Sequence, residues 1–337
     1  MALSPNYGWA EPDNSSLVKN GAQDIRALGD AIDTSLWNVG FGQAGKNKII
    51  NGDFGVWQRG TSFSNPANGT FCADRFKTIN DGTGATRTVS QQAFTVGAAP
   101  VSGYESQYFM RYAVTAAGSG NTYQGMQQFI EDVRTFAGQT VTFSFWAKAD
   151  ATRIVQVDLT QYFGSGGSGN VQTLFSNQTL TTSWARYSGT VTLPSISGKT
   201  IGTGSALQFG YYAPAATACT IDIWGVQLEY GSKATPFETA TGTIQGELAA
   251  CQRYFQSLNG SWGSYGATSS ILPNYYRHQT QMRVTPTITI TTAPSYTNAS
   301  SIVNDENSVT GSRFYATVTS TGGGFATNFI YSASAEL

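Results

Sequence analysis

The run VTFSFWAKA, residues 141–149, carries the clearest fold signal in this sequence. Apolar residues occupy its odd-numbered positions, and mostly polar residues occupy the even-numbered ones. This two-residue period is typical of a β-strand with one face on a core. Further strand-like runs follow at 153–163, 184–194, 206–213 and 220–230, separated by turn residues. Many short strands without intervening helices indicate a β-sandwich.

The composition fits an all-β protein with substantial cores. The 337 residues are 40% hydrophobic and include 17 Tyr, 19 Phe and 7 Trp, but only 12% are Asp, Glu, Lys or Arg. Soluble domains usually contain about 25% charged residues. The formal net charge of −1 gives no electrostatic footprint for nucleic acid or anionic lipid. The apolar runs are far shorter than the ~20 residues needed for membrane insertion, so we expect neither partner.

The three cysteines, Cys72, Cys219 and Cys251, are widely spaced and form no CxxC pair. An odd number with this spacing argues against a disulfide framework and against a thiolate zinc site. We expect them to be small buried apolar residues, and we predict no cofactor apart from the calcium considered below.

Residues 1–44 form a segment of a different kind. Residues 1–16 lack the basic and apolar regions of a signal peptide, and their prolines and glycine predict an extended chain. Next, Ile25, Leu28, Ile32 and Leu36 recur three or four residues apart, which predicts an amphipathic helix. The apolar stripe of this helix must dock either on the chain's own domains or on other subunits.

Two further segments follow the sandwich, which we place at residues 45–240. Ile244, Leu248, Cys251 and Phe255 share one helical face, which predicts a bridging helix within 241–258 with that face in the core. Residues 259–337 again read as short strands and form a predicted C-terminal β domain. Because fewer than about 80 residues give a small core, we expect neighbouring copies to support it.

Several motifs in chain order resemble known proteins. They are NKIINGDFGVWQRG (47–60), ADRF (73–76), FIEDVRTFAGQTVTFSFWAKAD (129–150), SWARYSGTVTLPSISGKTIG (183–202), IDIWGVQLEYGSKATPFE (221–238) and ELAACQRYFQ (247–256). Together they resemble the jelly-roll domain of bacteriophage tail-fibre and virion appendage proteins. The stretch 6–33 is similar to the virion-attachment segment of such proteins in phages of aquatic bacteria. The opening and closing strands also resemble those of carbohydrate-binding modules.

The resemblance implies a structural, non-enzymatic fibre protein of a phage virion, assembled in the host cytoplasm. It implies a central jelly roll, anchorage to other virion proteins through residues 1–44, and recognition of the host surface, with glycans as candidate ligands. Together with the unpaired helix stripe and the small C-terminal domain, it predicts a homotrimer. A head, neck or tail decoration or connector protein is the alternative, and a polysaccharide-degrading enzyme is a third hypothesis.

The resemblance to carbohydrate-binding modules also raises a calcium site where the first and last strands meet. Asp53 and Asp222 are the candidate ligands, because calcium prefers carboxylate and carbonyl oxygens. Such modules often carry a second acidic residue after the position of Asp222, but this chain has Ile223 and Trp224 there. For Asp74 and Arg75 we expect a buried ion pair or a capping role, since a buried carboxylate needs partners.

Groups for catalysis are scarce. His278 is the only histidine, and no GxSxG motif accompanies it, so a serine or cysteine triad is not expected. A glycosidase needs two carboxylates about 5 to 10 Å apart. The pairs to consider are Glu131 with Asp132 and Asp222 with Glu229, and structural ion pairs are the simpler interpretation of both.

Aromatic side chains are the residues most suited to sugar binding, because their faces pack on C–H surfaces. Most aromatics of a β-sandwich belong to its core, so only those in loop-like or edge contexts are candidates. These are Tyr104, Tyr108, Tyr123, Tyr162, Tyr211, Tyr212, Trp262, Tyr265, Tyr275 and Tyr276. In NGSWGSYG, glycine neighbours predict an exposed loop that carries Trp262 and Tyr265. We choose these two, with Tyr275 and Tyr276, as ligand-binding residues.

Overall fold

The structure is a computed structural model that describes residues 2–3, 9–11, 20–39, 45–101, 104–215 and 217–337. The chain divides into two compact units, Met1–Ala44 and Gly45–Leu337. The predicted boundaries at residues 240 and 258 fall inside the second unit and stay predictions. The all-β fold class is confirmed, because strands dominate the described chain and two helices interrupt them.

The first unit contains a short strand pair and a helix. Strand β1 (Ala2–Leu3) pairs antiparallel with β2 (Ala10–Glu11), and helix α1 spans Gly21–Val39. The predicted helix is therefore present. Ile25 is 67% exposed, and Leu28 and Ile32 are half-buried. The side chain of Leu36 lies outside the described residues, so docking of the whole stripe stays a prediction.

The second unit begins with twelve described strands that are divided between two sheets. They are β3 (Ser62–Ser64), β4 (Lys77–Asn80), β5 (Thr86–Ala93), β6 (Tyr108–Ala116), β7 (Gln124–Glu131), β8 (Thr140–Ala149), β9 (Arg153–Tyr162), β10 (Val171–Leu174), β11 (Gln178–Leu180), β12 (Ala185–Thr192), β13 (Ala206–Ala213) and β14 (Cys219–Tyr230).

These strands form a β-sandwich of two antiparallel sheets. Sheet 1 has the order β10-β9-β13-β7-β4, and β11 also pairs with β9; sheet 2 has the order β12-β8-β14-β6-β5-β3. Alternate residues of both sheets meet in one core, in which Val157 and Phe209 of sheet 1 join Phe143 and Ile221 of sheet 2. The alternation in residues 141–149 therefore corresponds to the core-facing and outer faces of β8.

The three cysteines are buried and unpaired, as predicted. Cys72 and Cys219 lie in the sandwich core, and Cys251 lies on a later helix. Burial raises the pKa of the Cys72 thiol to about 12, so this sulfur stays protonated and apolar at neutral pH.

A helix and seven strands follow the sandwich in the described chain. They are α2 (Ile244–Gln252), β15 (Phe255–Gly266), β16 (Ile271–Arg277), β17 (Thr287–Thr292), β18 (Ser295–Thr297), β19 (Val303–Ser308), β20 (Gly311–Thr317) and β21 (Gly322–Ser334). One sheet has the order β15-β21-β17, with β18 also on β21, and the other has the order β16-β20-β19. No helix in the described ranges is long and apolar enough to cross a membrane.

Helix α2 lies within the predicted range; of the predicted buried stripe, Cys251 and Phe255 are buried, but Ile244 and Leu248 are not. Ile244 is 83% exposed and Leu248 is also exposed, whereas Glu247 and Cys251 are the buried residues. Phe255 already belongs to β15. The helix is only nine residues long, and the Thr243 hydroxyl caps its start by accepting the Gly246 N–H at 3.0 Å. The predicted apolar stripe therefore continued past Gln252, where the helix ends.

The predicted exposed loop around Trp262 is also wrong. Trp262 is central in β15 and only 1% exposed, in a core with Phe314 and Phe329. A Cβ on Gly260 would lie 2.2 Å from the Phe329 ring. The glycines of NGSWGSYG therefore make room for aromatic rings on a strand, which is the other common reason for glycine in β structure.

Candidate functional site

A groove of about 470 Å³ crosses the outer face of sheet 1. Its lining comes from β4, β9, β10 and β13 and from the loops that flank β7, β10 and β13. The side chains that give it its character are Ile79, Tyr123, Ile154, Gln156, Gln172 and Tyr212. None of the lining residues that the structure describes is charged. The surface therefore combines aromatic and aliphatic faces with neutral amides.

Two glycines leave the centre of this face without projecting side chains. Gly125 pairs with Tyr212, and Gly210 pairs with both Asp158 and Gln127. A Cβ on Gly210 would lie 2.2 Å from Asp158 Oδ1, and one on Gly125 would lie 2.0 Å from the Tyr211 carbonyl oxygen. Larger residues at either position would displace the Asp158 carboxylate or the strand itself.

Asp158 does not line the groove, but it holds two side chains that do. Its carboxylate is fully buried and accepts hydrogen bonds from Gln172 Nε2 and, at 3.4 Å, from the Tyr212 hydroxyl. Gln208 Nε2 also donates to the Tyr212 oxygen at 3.1 Å. Because burial outweighs these neutral donors, the pKa of Asp158 is raised above its ordinary value. The network fixes the orientation of Gln172 and Tyr212, which both face the groove.

The rim is held by polar contacts. The Asp81 carboxylate accepts the backbone N–H groups of Thr122 at 2.8 Å and Tyr123 at 3.1 Å. Gln124 Nε2 donates to the Pro214 carbonyl at 2.6 Å, at the end of the neighbouring strand β13. Tyr123 stays 38% exposed. Its aromatic face is therefore accessible on a loop with a fixed backbone.

The first predicted carboxylate pair is engaged in ion pairs within the fold. Both oxygens of Glu131 lie 3.0 Å from Arg253 Nη2, and the Tyr254 hydroxyl donates to Glu131 at 2.7 Å. Asp132 pairs with Arg134 at 2.7 Å. These carboxylates do not line the groove, which matches the simpler interpretation made from the sequence.

The second pair is likewise structural. Asp222 is buried and accepts two bonds from Arg111, at 2.7 and 2.9 Å, and Lys148 lies at 3.6 Å. Glu229 is buried, pairs with Lys46 at 3.1 Å and accepts the Thr235 N–H at 2.8 Å. Each carboxylate therefore has a cation partner inside the protein.

Asp222 already has cation partners, and its role as a calcium ligand stays a prediction. Asp53 lies elsewhere, in a cavity of about 270 Å³ with Tyr104 and Glu247, and burial raises the pKa of its carboxyl. Among the described residues, no group of three or more His, Cys, Asp or Glu side chains is arranged to hold a metal ion.

Asp74 and Arg75 are both buried, as predicted, but each pairs with a different partner. Asp74 lies 3.3 Å from Arg59 Nη1, and Arg75 contacts the Glu336 carboxylate. Arg75 also stacks on Tyr254, with 3.4 Å between the guanidinium carbon and the ring centroid. The ADRF motif therefore joins the sandwich to the end of the described chain.

His278 has a structural environment. It is buried, its Nδ1 lies 3.3 Å from the Val309 carbonyl, and its Nε2 lies 3.1 Å from Ser312 Oγ. Ser312 is fully buried. Burial lowers the pKa of His278, so the neutral ring that donates to Val309 and accepts from Ser312 is favoured.

The four chosen ligand-binding aromatics do not form one site. Tyr265, in β15, is 78% exposed. Tyr275 and Tyr276 lie on β16, in the other sheet; Tyr275 is exposed, and the half-buried Tyr276 donates its hydroxyl to the Ser261 carbonyl. With Trp262 buried, stacking on a ligand is open only to the exposed rings.

Sequence reasoning included Tyr123 and Tyr212 among its candidates but missed the polar groove residues. The signal was present in RIVQVDLTQYF, residues 153–163. Opposite the apolar Val155 and Val157, this strand carries Gln156 and Asp158 on the outer face.

Comparisons with known proteins find similarity over part of the chain. Residues 89–204 match the family model of a carbohydrate binding domain, CBM_4_9. This segment includes β7, β9 and β10 of the groove sheet. No curated protein matches the chain.

Similar solved structures include two carbohydrate modules and a phage domain. The xylan-binding domain CBM22-1 of Paenibacillus barcinonensis Xyn10C is 13% identical, with 57% of this chain and 99% of that chain covered and a TM-score of 0.35. The family 11 module of Clostridium thermocellum Lic26A-Cel5E is 13% identical, with 51% and 97% covered and a TM-score of 0.32. The enzymatically active domain of bacteriophage CBA120 tailspike protein 4 is 16% identical, with 55% of this chain but only 22% of that chain covered and a TM-score of 0.35.

Proposed function

We propose that this chain binds a neutral oligosaccharide in the groove on sheet 1 and that it does so without cleaving it. The observation that carries the proposal is the groove itself, in which Tyr123 and Tyr212 accompany Gln156 and Gln172 and no lining residue that the structure describes is charged. Sugar sites combine aromatic faces for C–H surfaces with a few oriented polar groups for hydroxyls. The carbohydrate binding domain match over residues 89–204 supports the same conclusion.

Replacing the groove tyrosine tests this function. We expect Tyr212→Ala to weaken binding of a neutral hexasaccharide by roughly 1 to 3 kcal/mol, about five- to a hundredfold. The substitution removes the ring and the hydroxyl that Gln208 and Asp158 orient. Isothermal titration with xylohexaose and cellohexaose measures the change, and hexagalacturonate provides the anionic comparison.

Two variants make this test specific. Tyr230→Ala removes an exposed tyrosine at the end of β14, on the other sheet, and should leave the affinity unchanged. Tyr212→Phe keeps the ring and removes only the hydroxyl, so its affinity should fall between those of the wild type and Tyr212→Ala. Equal affinities of Tyr212→Ala and the wild type for every bound hexasaccharide would refute the groove as the site.

We further propose that the chain is a tail-fibre or appendage protein of a phage virion, a homotrimer anchored by residues 1–44. The motifs in 47–60, 129–150 and 221–238 and the stretch 6–33 support this role through their resemblance to such proteins. The exposed Ile25 on α1 suits contact with another subunit or another virion protein. Glycan binding by the groove would then serve recognition of the host surface.

Removal of the anchor should separate folding from assembly. We expect a chain without residues 1–44 to remain soluble and rich in β structure, because Gly45–Leu337 is a compact unit of its own. The same chain should be absent from purified virions, as measured by quantitative mass spectrometry. Tyr212→Ala in the full chain should enter virions at the normal level. Normal incorporation of the truncated chain would contradict the anchor.

A further inference from the structure

A second aromatic surface lies outside the segment that matches the carbohydrate binding domain. Phe325 of β21 is 47% exposed and pairs with Gly263 of β15 on one side and Thr297 of β18 on the other. Tyr265, which is 78% exposed, pairs with Gly323 two residues before Phe325. We call these five residues the Phe325 platform, because paired and alternate positions of a sheet share one face.

Glycines form the floor of this platform. A Cβ on Gly263 would lie 2.9 Å from Phe325 Cδ1, and one on Gly323 would lie 3.2 Å from Phe325 Cε2. These carbons belong to opposite edges of the ring, so the ring lies across both glycines. Side chains at these two positions would lift the ring from the sheet. The two glycines therefore leave room for the ring to lie against the sheet while nearly half of the Phe325 surface stays exposed.

The strands that supply the platform carry no charged residues. Residues 254–276, 284–304 and 314–335 contain no Asp, Glu, Lys or Arg. These segments include β15, β18 and β21, the strands that supply the platform. Hydroxyl groups are available at its edge, for example on the exposed Thr297. An exposed ring on uncharged strands with hydroxyl groups at its edge matches a neutral ligand with C–H faces and hydroxyl groups.

We propose that the Phe325 platform is a second carbohydrate-binding site, which takes a neutral pyranose ring against the exposed side of Phe325. Tyr265 lies diagonally across the strand pair, within reach of a neighbouring sugar unit. The site is separate from the groove: it lies on β15, β18 and β21, whereas the groove lies on sheet 1. The two sites together would give one chain two contacts with a polysaccharide, which strengthens binding through effective concentration.

The test uses the full chain with the groove weakened by Tyr212→Ala. Saturation-transfer NMR with cellohexaose, xylohexaose and maltohexaose should show residual binding of at least one of these neutral probes. Phe325→Ala in the same background should weaken that binding by roughly fivefold or more. Gly263→Ala should act in the same direction, because its methyl group displaces the ring. Ser261→Ala, on the same strand, should have no effect, and circular dichroism confirms folding of each variant.

Phe325→Ala is also made in the otherwise unchanged chain, so that failure of the platform and failure of the groove give different results. If Tyr212→Ala abolishes binding and no residual signal depends on Phe325, the groove stands and the platform proposal is overturned. Sedimentation velocity tests the alternative that a second copy of this chain binds the platform. Concentration-dependent association that Phe325→Ala removes would show that the platform is an interface between copies and would likewise overturn the proposal.

Discussion

Glu336→Gln is expected to lower the free energy of unfolding by about 3 to 5 kcal/mol, the usual cost of removing one partner from a buried ion pair. Glu336 contacts Arg75, which is 1% exposed, and lies 2.8 Å from Arg59 Nη2. Glutamine keeps the size of the side chain but removes the charge that both guanidinium groups face. Urea denaturation monitored by tryptophan fluorescence measures the loss.

The surroundings of Arg75 explain why this loss should be large. Its Nη2 donates to the Phe129 carbonyl, its plane stacks on Tyr254, and its buried Nε has no hydrogen-bond partner in the structure. Water therefore cannot replace the carboxylate without opening the packing between Arg75 and Tyr254. Because Arg75 belongs to the sandwich and Glu336 follows β21, the pair also holds these two parts of the second unit together.

A surface pair and a double variant provide the controls. Asp305→Asn breaks the pair with Arg313 on β20, where both side chains are about one-third exposed, and should leave the denaturation midpoint nearly unchanged. Arg75→Met combined with Glu336→Leu removes both charges and should cost less than Glu336→Gln alone. A Glu336→Gln denaturation midpoint equal to that of Asp305→Asn would show that the buried pair contributes no more to stability than the exposed pair.

Local patterns predicted the elements of this fold but not their partners. The alternation in 141–149 and the spacing of Ile25, Leu28 and Ile32 are properties of neighbouring residues, and they correctly gave a strand and a helix. The pairing of Arg75 with Glu336 joins residues 261 positions apart, and local periodicity contains no information about such a contact. The sequence therefore predicted burial of Arg75 but not its partner.

The same limit applies to the groove. Tyr123 and Tyr212 were sequence candidates, yet their closeness depends on the order β9-β13-β7 in sheet 1, which is not the chain order. Around Trp262, the glycines led to a wrong prediction of local structure. The neighbouring glycines indicated a loop, but Gly260 instead packs under the Phe329 ring. Glycine marks either a free backbone or a close approach, and only the tertiary structure distinguishes these two cases.

Gly52, in the motif NKIINGDFGVWQRG (47–60), is also a site of close approach. Its substitution is expected to cause the second large loss of stability. A Cβ on Gly52 would lie 2.1 Å from the Val226 carbonyl oxygen, a backbone atom of β14. Gly52 and Val226 are joined directly, since the Val226 N–H donates to the Gly52 carbonyl at 2.9 Å. We therefore expect Gly52→Ala to lower the free energy of unfolding by about 3 kcal/mol or more, at or above the upper end of overpacking costs.

Hydrogen bonds of the neighbouring Asn51 explain why the turn that contains Gly52 cannot simply move away. Asn51 donates from Nδ2 to the Val56 and Asp74 carbonyls at 2.9 and 3.0 Å, and its own N–H donates to Glu247 at 2.8 Å. Displacing Gly52 would break these buried bonds together. Gly69→Ala is the control, because Gly69 has no atom near its Cβ position, although its positive φ adds a modest strain. Thermal and urea denaturation compare the two variants, and a Gly52→Ala chain as stable as the Gly69→Ala chain would show that the contact with Val226 relaxes easily.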